Sequence, residues 1–467
     1  NITIHSSLSE VSWGELSPKI YRKGIPVIKD INETTASVAM EYQISAKDSS
    51  GDTGIYDVTE FYRMRYTEAR IRLLDFKRSA NRVFNPEASV VSDEGLLLGI
   101  RDKAVSYMMN EEGTLIVFVQ QGDLWSYSPV NGKISKIFSF RKEENGDFRD
   151  SRVEHDIKII RVGDQGDIDF VLYGYMNRGI HEGHCGVCVY HYSNDQNVVE
   201  EKVFIPTTES YEFLKKDLGT LSFVNKENKL FLLFAQKLYQ IKGNGEIKEI
   251  DFDTLQTRTL SPQQGQQLRT VGFMNEDIIY GLLNEGDILT DHNGYIKEGF
   301  HTLRIEGFDG EIKKEYHKDG LYVTDVTVGN TLMEFELSAK SGDSAYVPQK
   351  KDNIMNNKKA ASNRVSVELV NASGTGVVVR LALDEKPETE EPLVVRAKMR
   401  SMEEREIVLD TQIPKDDIYY VYAQGGLDSI YTNPGEAVKC ADKKMGVVLN
   451  RSQQYVWERG NKKTKIQ

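Results

Sequence analysis

The stretch Leu124–Phe138 reads LWSYSPVNGKISKIF, in which two runs of alternating apolar and polar side chains flank Asn131-Gly132. The same arrangement occurs in Leu238–Ile250 (LYQIKGNGEIKEI) and in Leu303–Glu315 (LRIEGFDGEIKKE). Asn-Gly and Asp-Gly dipeptides supply the positive backbone φ that tight hairpin turns need. Each stretch is therefore predicted to be a β-hairpin.

Each hairpin is preceded by another pair of apolar runs, so that a four-strand repeat occurs three times: Ser106–Gln120, Leu221–Phe234 and Thr270–Leu283. Residues 156–204 hold a fourth, longer unit of the same kind. Four-strand units at such spacing are typical of blades around an axis. The sequence predicts an all-β fold, a β-propeller of seven blades with a few peripheral helices; six and eight blades remain alternatives.

Two helices are predicted outside the repeats. From Thr67 onward, one helical stripe contains Ala69, Leu73, Phe76, Ala80 and Val83. The second helix follows the cap Asn433-Pro434 and ends at Gly446, and a short hairpin around Asn450 follows it. Two polar stretches, Lys340–Asn363 and Glu385–Glu391, are predicted to be exposed loops.

These predictions divide the chain into three parts. Residues 1–36 are expected to form an extended segment that follows a removed anchor. Residues 37–431 are expected to form the propeller. Residues 432–467 are expected to form a helix and hairpin that link to a further C-terminal domain.

The composition excludes some classes of protein. The 467 residues carry a net charge of -12, which disfavours binding to nucleic acid or to an anionic membrane. No apolar run approaches the length of a membrane-spanning helix. The 3 cysteines are too few for a disulfide-built scaffold. A monomer without cofactors is expected.

The densest group of reactive side chains lies between His181 and His191. Zinc binds histidine and cysteine, so the metal candidates are His181, His184, Cys185, Cys188 and His191. The spacing lacks a second ligand pair, and Cys185 and Cys188 would face opposite sides of a strand. A hairpin rim without metal is therefore the preferred interpretation. The same region supplies the candidates for ligand binding, which are Tyr175, Arg178, His181 and Glu182.

Two further groups were weighed. Asp164, Asp167 and Asp169 offer oxygen ligands for calcium, but they also suit an ordinary turn. The basic residues between Arg63 and Arg82 could form an anion-binding face, although Glu60, Glu68 and Asp75 among them favour a solvated surface.

No nucleophile motif or phosphate-binding loop occurs in the sequence. The first hypothesis is a non-enzymatic module that binds a protein, peptide or glycan outside the cell. The alternative is a hydrolase with two carboxylates at the propeller axis, since the separation that such a pair needs cannot be read from sequence.

Three stretches carry a resemblance to a known group: Glu60–Phe76 (EFYRMRYTEARIRLLDF), Asp167–Gly183 (DIDFVLYGYMNRGIHEG) and Tyr419–Asn461. They resemble uncharacterised exported proteins of gut Firmicutes. This resemblance implies a membrane anchor, a propeller-like region and a papain-like cysteine peptidase-type domain of the bacteriocin-processing kind, in that order. The chain would be the middle part, located outside the cytoplasm, and its partners would be found at the cell surface. No catalytic residue is carried over.

Overall fold

In the computed structural model, nearly all of the regular secondary structure is β-strand. Its described residues are 2–13, 16–47, 53–88, 90–100, 103–142, 147–151, 153–207, 211, 214, 222–224, 230–234, 237–241, 246–251, 254–274, 277–290, 296–329, 332–342, 345–355, 365–372, 376–400, 418–450 and 454–458. Two compact units divide the chain. The first comprises Asn1–Lys216, Asn363–Val408 and Pro414–Gln467, and the second comprises Asp217–Ser362 and Leu409–Ile413.

The first unit begins with an N-terminal sheet built from six strands and one short helix. These elements are β1 (Ile2–Thr3), α1 (Leu8–Val11), β2 (Lys19–Arg22), β3 (Val27–Ile31), β4 (Thr35–Lys47), β5 (Thr53–Thr67) and β6 (Arg70–Arg82). The sheet order is β1-β6-β5-β4-β2, with β3 also paired to β4. Strand β4 therefore crosses the predicted boundary between residues 36 and 37.

The helix predicted from Thr67 onward is wrong. Strands β5 and β6 are antiparallel partners from Tyr56↔Arg82 to Thr67↔Arg70. Thr67 closes the turn, because its Oγ1 accepts the N–H of Arg70 at 3.2 Å. The buried positions of β6 are Phe76 and Arg78, two residues apart, which is the strand period. Pairing along most of β5 outweighs the helical spacing of the apolar residues.

The rest of the first unit contains strands from both ends of the sequence. They are β7 (Val91–Ser92), β8 (Gly95–Leu97), β9 (Tyr107–Met109), β10 (Ile116–Gln120), β11 (Asp123–Ser128), β12 (Lys133–Phe138), β13 (His155–Val162), β14 (Ile168–Tyr175), β15 (Cys185–Ser193), β16 (Val198–Thr207), β31 (Val365–Ala372), β32 (Gly376–Leu383), β33 (Leu393–Arg396), β34 (Lys398–Arg400), β35 (Tyr419–Ala423), β36 (Gly426–Tyr431), β37 (Val447–Asn450) and β38 (Tyr455–Glu458). A 3₁₀ turn covers Phe148–Ser151.

Three of its sheets have the predicted up-and-down form. Sheet 1 has the order β31-β32-β8-β7, so it joins strands that are far apart in the sequence. Sheet 2 has the order β9-β10-β11-β12 and sheet 3 the order β13-β14-β15-β16. Strand β33 adds to β12 in parallel and β34 adds to β16 in parallel. One short segment, residues 393–400, thus extends two sheets in succession.

Neighbouring sheets of the first unit share apolar cores. Leu96 and Leu381 of sheet 1 pack with Phe118 and Tyr127 of sheet 2, and all four are fully buried. Sheets 2 and 3 share a second core that includes Phe138 and Phe170, whose rings lie 5.9 Å apart. The hairpin predicted at Leu124–Phe138 and the four strands predicted within residues 156–204 are confirmed.

The described residues of the second unit form three further sheets and a small ribbon. Its strands are β17 (Ser222–Val224), β18 (Leu230–Phe234), β19 (Lys237–Ile241), β20 (Ile247–Asp251), β21 (Thr257–Leu260), β22 (Gln266–Met274), β23 (Asp277–Asn284), β24 (Ile288–Thr290), β25 (Ile296–Glu298), β26 (Thr302–Glu306), β27 (Ile312–His317), β28 (Tyr322–Val328), β29 (Leu332–Ser341) and β30 (Ala345–Met355). A 3₁₀ turn covers Glu285–Asp287.

Sheet 4 has the order β17-β18-β19-β20-β21, sheet 5 the order β22-β23-β26-β27 and sheet 6 the order β28-β29-β30, while β24 and β25 form the ribbon. The hairpin at Leu303–Glu315 is confirmed, and Gly310 in its turn has φ +88°. The turn predicted at Asn244-Gly245 lies outside the described residues.

The loop predicted at Lys340–Asn363 is wrong over most of its described length. Strand β30 pairs with β29 from Leu332↔Met355 to Ser341↔Ala345. Most of its side chains are exposed, so its polar composition reflects a solvated strand and not a loop. The acidic segment 385–391 lies outside all strands, as predicted.

The C-terminal sheet has the order β36-β35-β37-β38, and helix α2 (Pro434–Lys443) packs on it. The predicted cap is confirmed, because the Asn433 side chain accepts the N–H groups of Gly435 and Glu436. Tyr455 donates a hydrogen bond to Asp30, and Asn32 donates one to Glu458, so this sheet contacts the N-terminal sheet. Neither helix in the described part of the chain has the length and apolar character that crossing a bilayer requires.

Candidate functional site

The four binding candidates lie where β14 ends and in the loop that follows it. Main-chain bonds close this loop, since Met176 N–H donates to His184 O at 2.8 Å and Gly183 N–H donates to Met176 O at 3.0 Å. Tyr175 is anchored by its N–H, which donates to Glu154 O at 2.8 Å. The loop is therefore held by its own backbone.

Arg178 and Glu182 belong to one ionic network. Arg178 Nη2 lies 2.9 Å from Asp147 Oδ1 and 2.6 Å from Asp150 Oδ1. Arg149 bridges Asp147 at 2.8 Å and Glu182 at 2.5 Å. Hydrogen bonds from Arg149, and next from Arg178, hold the pKa of Asp147 well below its usual value. Because these charges satisfy one another, the network ties two loops together.

His181 points away from this network. Its ring stacks on Phe204 with centroids 3.9 Å apart, and its Nε2 lies 2.7 Å from Glu201 Oε1. His181 is only 8% exposed. The structure therefore gives His181 other partners than those of Arg178 and Glu182.

The metal candidates are dispersed. Cys185 and Cys188 form no disulfide and lie three residues apart on β15, so they face opposite sides of the strand. Burial raises the pKa of the Cys188 thiol, which disfavours the thiolate that zinc needs. His191 Nδ1 lies 2.7 Å from Asp169 Oδ1. Within the described residues, no group of three potential ligands could hold a metal ion.

The aspartates considered for calcium have separate partners. Asp169 pairs with Arg161 at 2.8 Å as well as with His191. Asp167 Oδ1 accepts the N–H of Asn194 at 2.9 Å, and Asp164 Oδ1 accepts the N–H of Glu111 at 3.3 Å. Each carboxylate fixes a different piece of backbone or side chain, which is the turn-stabilising role that the sequence also allowed.

A cavity of the second unit lies between sheets 4 and 5 and has a volume of about 550 Å³. This volume is within the range of small-ligand sites. Its residues are Arg258, Thr259, Leu260, Ser261, Pro262, Gln263, Gln266, Leu268, Tyr280, Leu282, His301, Thr302, Arg304, Glu306, Glu315 and His317. Apolar and polar side chains are mixed, as is usual in such sites.

The polar wall of this cavity is formed by side chains on one face of strand β26. Thr302, Arg304 and Glu306 are alternate residues of β26, so they share one face of sheet 5. Arg304 pairs in register with Tyr280 on one side and with Glu315 on the other. Leu303 and Ile305 point the opposite way, into the core shared with sheet 6. The same strand therefore supplies both a core and a cavity wall.

Both carboxylates of the wall are held by arginines. Arg304 Nε donates to Glu315 Oε2 at 2.6 Å. Glu306 accepts hydrogen bonds from Arg258 and from the hydroxyl of Tyr280. Burial, aided by Glu306, raises the pKa of Tyr280 to about 12, so its hydroxyl remains a donor at neutral pH. This arrangement presents hydrogen-bonding groups in fixed positions.

Two histidine side chains line the cavity, and their pKa values are shifted in opposite directions. Burial lowers the pKa of His301, whose Nδ1 lies 2.9 Å from Thr302 Oγ1. His317 Nδ1 donates to His301 O at 2.7 Å, and this bond, with Asp319, raises the pKa of His317. His301 is therefore neutral at neutral pH, whereas His317 protonates more readily than an ordinary histidine.

The sequence interpretation missed this cavity. The polar alternation of Thr302, Arg304 and Glu306 between apolar neighbours was visible, and it defines a solvated or ligand-facing side of the strand. The sequence does not show where β21 lies. In the structure β21 covers that face of β26 and closes the cavity.

No protein-family description matches the chain, and no curated protein matches it. Solved structures match it loosely. The tricorn protease aligns with 92% of this chain and 39% of its own length, at 12% identity and a TM-score of 0.27. BamB from Moraxella catarrhalis aligns with 66% of this chain and 82% of its own length, at 10% identity and a TM-score of 0.20. Dipeptidyl peptidase 4 of Porphyromonas gingivalis aligns with 82% of this chain and 62% of its own length, at 8% identity and a TM-score of 0.26. The chain thus spans less than two thirds of both peptidases, and similarity at this level assigns it no family and no activity.

Proposed function

We propose that this chain is a non-catalytic binding module that holds a polar segment of a peptide or glycan. The observation that carries the proposal is the cavity between sheets 4 and 5. Its volume of about 550 Å³ suits a segment of a few residues or sugars. Arg304, Thr302 and Tyr280 offer hydrogen-bonding groups, and Leu268 and Leu282 offer apolar contact.

The carboxylates of this cavity favour binding over hydrolysis. A glycosidase needs one carboxyl group to donate a proton and a second to act as base or nucleophile. Here Glu306 is engaged by Arg258 and Tyr280, and Glu315 is engaged by Arg304. These partners fix both carboxylates as parts of the wall.

We also propose that sheets 1–6 are blades of one β-propeller. Within the first unit, sheets 1, 2 and 3 pack side by side through shared cores. Within the second unit, sheets 4, 5 and 6 do the same. Sheet 1 combines β7 and β8 with β31 and β32, which is how a ring of blades can be closed by the two ends of a chain.

The location and partners are part of the same proposal. A module of this kind would act outside the cytoplasm, attached to the membrane by a segment that precedes it. It would bind its ligand at the cell surface and position or regulate a peptidase-like domain that follows it. The resemblance described above is the support for this part.

Binding can be tested with peptide and glycan arrays, followed by calorimetric titration of the strongest probe. Arg304→Gln removes a cation from the cavity wall, and we expect it to weaken binding by about tenfold or more. Arg269→Gln is the matched control, because Arg269 lies in the same sheet and pairs with Glu298 at 2.8 Å outside the cavity.

Equal losses in the two variants would contradict the assignment of the cavity. Mass spectrometry of the probe after incubation provides a separate check of the non-catalytic role. Cleavage products that are absent with Glu306→Gln would instead support the hydrolase alternative.

A further inference from the structure

Exposed apolar side chains are concentrated in the N-terminal sheet. Among the described residues, 24 large apolar side chains are exposed, and 12 of them precede residue 74. Four of these lie at the end of the sheet where the β3–β4 and β5–β6 turns are found: Ile31, Tyr66, Ile71 and Leu73. Their exposed fractions lie between 47% and 66%. Exposed apolar groups that lie together mark sites of contact with a protein or a membrane.

The register of the strands places these four side chains on one face of the sheet. Tyr66 of β5 is opposite Ile71 of β6, and Met64 of β5 is opposite Leu73 of β6. Through one residue of β4, Met64 is also aligned with Ile31 of β3. Directly opposed residues of antiparallel strands point to the same side. The four exposed side chains therefore form one apolar patch that crosses four strands, a width of about 14 Å.

Arginines occupy the alternate positions of the same hairpin. Arg65 and Arg72 are directly opposite each other, and Arg70 is opposite Thr67 on the same face. All three arginines are exposed. Like charges directly opposite each other destabilise a sheet, so the Arg65–Arg72 pair does not serve the stability of the fold. An external anionic group close to both guanidinium groups would offset their repulsion.

This end of the hairpin is locally basic, although the whole chain has a net charge of -12. The segment 63–77 contains five basic residues and two acidic ones. The local charge remains positive when Glu33, in the neighbouring β3–β4 turn, is included. At physiological salt the Debye length is about 8 Å, so the local charge and not the distant carboxylates governs close contacts.

We propose that the apolar patch and the three arginines dock on the surface of a membrane that contains anionic lipid. Tyrosine is enriched at the boundary between water and lipid, and the isoleucine and leucine side chains of the patch can enter the apolar layer below it. Arginine can lay its aliphatic stem along an apolar surface and keep its guanidinium group at the level of the lipid phosphates. The chemistry of the hairpin thus matches both layers of such a membrane.

The position of the arginines in the sheet permits this contact. Strand β1 pairs with β6 at Lys77 and Arg78, so β6 is the edge strand at Arg70 and Arg72 among the described residues. Side chains on an edge strand can bend around it toward a surface that covers the other face of the sheet. The docking surface is separate from the cavity of the proposed function and does not depend on it.

A second copy of the chain suits the patch less well. A two-fold contact between identical patches would bring the arginines of both copies close to one another. The net charge of -12 on each copy adds repulsion at longer range. A surface with phosphate groups meets neither obstacle at the arginines.

Cosedimentation of the whole chain with lipid vesicles tests the proposal. One set of vesicles contains phosphatidylcholine with about 30% phosphatidylglycerol, and the other contains phosphatidylcholine alone. We expect the chain to bind the anionic vesicles at least about tenfold more tightly. Binding to the anionic vesicles should weaken when the salt concentration is raised to about 0.5 M.

Two variants separate the roles of the arginines and of the apolar patch. We expect Arg70→Gln with Arg72→Gln to weaken binding to the anionic vesicles by about tenfold. The control is Arg269→Gln with Arg400→Gln, which removes the same charge from arginines that pair with Glu298 and Glu200 in other sheets. The control should change binding by less than about twofold.

Ile71→Ser should also weaken binding to the anionic vesicles by about tenfold, because it removes an apolar side chain from the patch. Leu393→Ser is its matched control, since Leu393 of sheet 2 is about as exposed as Ile71. Circular dichroism of each variant shows whether its fold is retained.

Four results would overturn the proposal. They are equal binding to the two kinds of vesicle, no binding at about 1 mM lipid, and variants that bind no more weakly than their controls. The fourth is a dimer in equilibrium sedimentation without lipid that Ile71→Ser dissociates, which would assign the patch to a second copy. The comparison of the two kinds of vesicle uses the unaltered chain, so it remains decisive even if a substitution impairs folding.

Discussion

At the scale of single residues, the N-terminal sheet contains a buried ion pair. Arg78 Nε lies 2.5 Å from Glu60 Oε1, and Glu60 also accepts hydrogen bonds from Tyr42 and Tyr62. Glu60 is 2% exposed and Arg78 is 8% exposed. Arg78 further donates to Val11 O at 2.7 Å, so the pair connects α1 to the sheet.

Removal of one partner should therefore be costly. We expect Arg78→Met to lower the free energy of unfolding by about 3–5 kcal/mol, because a buried carboxylate then loses its counter-charge. The double variant Glu60→Leu with Arg78→Met should recover part of this loss. Urea denaturation of the three proteins checks both statements, and a double variant less stable than Arg78→Met would contradict them.

His155 is a second buried residue, and its burial should affect how stability depends on pH. Its Nε2 donates to Gly122 O at 2.9 Å, and its Nδ1 is buried without a partner among the described residues. Burial lowers the pKa of His155 in the folded chain. The unfolded chain then binds more protons than the folded chain once the pH falls below about 6.5.

Stability should consequently decrease as the pH falls from 7.5 to 5. The contribution of His155 to this decrease is at most about 1.4 kcal/mol for each pH unit. His155→Gln keeps a donor for Gly122 O and does not titrate, so its stability should depend less steeply on pH. Parallel pH dependences of the free energy of unfolding in the two proteins would exclude this role.

At the scale of elements, the segment that contains β33 and β34 reinforces two sheets. Ala397 N–H donates to Lys136 O at 2.9 Å, and Lys398 N–H donates to Asn197 O at 2.9 Å. The first bond joins sheet 2 and the second reaches the turn between β15 and β16. The segment thus lies along the edges of both sheets.

Ala397→Pro should loosen these edges, because proline cannot donate the bond to Lys136 O. The loss should be about 1–3 kcal/mol, the usual cost of a buried group left without its partner. Hydrogen exchange should become faster in residues 133–138 and 198–207. Glu390→Pro, in the acidic segment outside all strands, serves as the control and should leave these rates unchanged.

The sequence predicted local elements well and long-range pairing poorly. Asn131-Gly132 and Asp309-Gly310 identify hairpins because the turn conformation is a property of those residues alone. Asn433 identifies the start of α2 for the same reason. The spacing of Leu73, Phe76 and Ala80 suggested a helix, but the hairpin pairing of β6 with β5 outweighs this spacing.

Sequence alone was equally limited in predicting the candidate sites. The residues around His181 were predicted as a site because they are close in sequence. In the fold they have separate partners. The cavity between sheets 4 and 5 joins residues that are distant in sequence, such as Arg258 and His317. Nothing in a single sequence specifies such neighbours.

At the scale of the whole molecule, the proposed propeller predicts cooperative unfolding. If sheets 1–6 stabilise one another in a ring, calorimetry should give one transition. Leu381→Ala should lower its midpoint, because Leu381 is fully buried between sheets 1 and 2 and Leu→Ala substitutions in cores cost about 2–5 kcal/mol. Leu393→Ala, at a side chain that is 65% exposed, is the control. Two separate transitions, only one of which responds to Leu381→Ala, would contradict the single ring.

The composition of sheet 1 also has a consequence for biosynthesis. Strands β7 and β8 leave the ribosome roughly 270 residues before β31 and β32, so at about 5–20 residues per second they wait for tens of seconds. During that time their apolar residues and open edges are exposed to aggregation. We therefore expect chaperones that shield these strands until translation has passed residue 383 to increase the yield of folded chain.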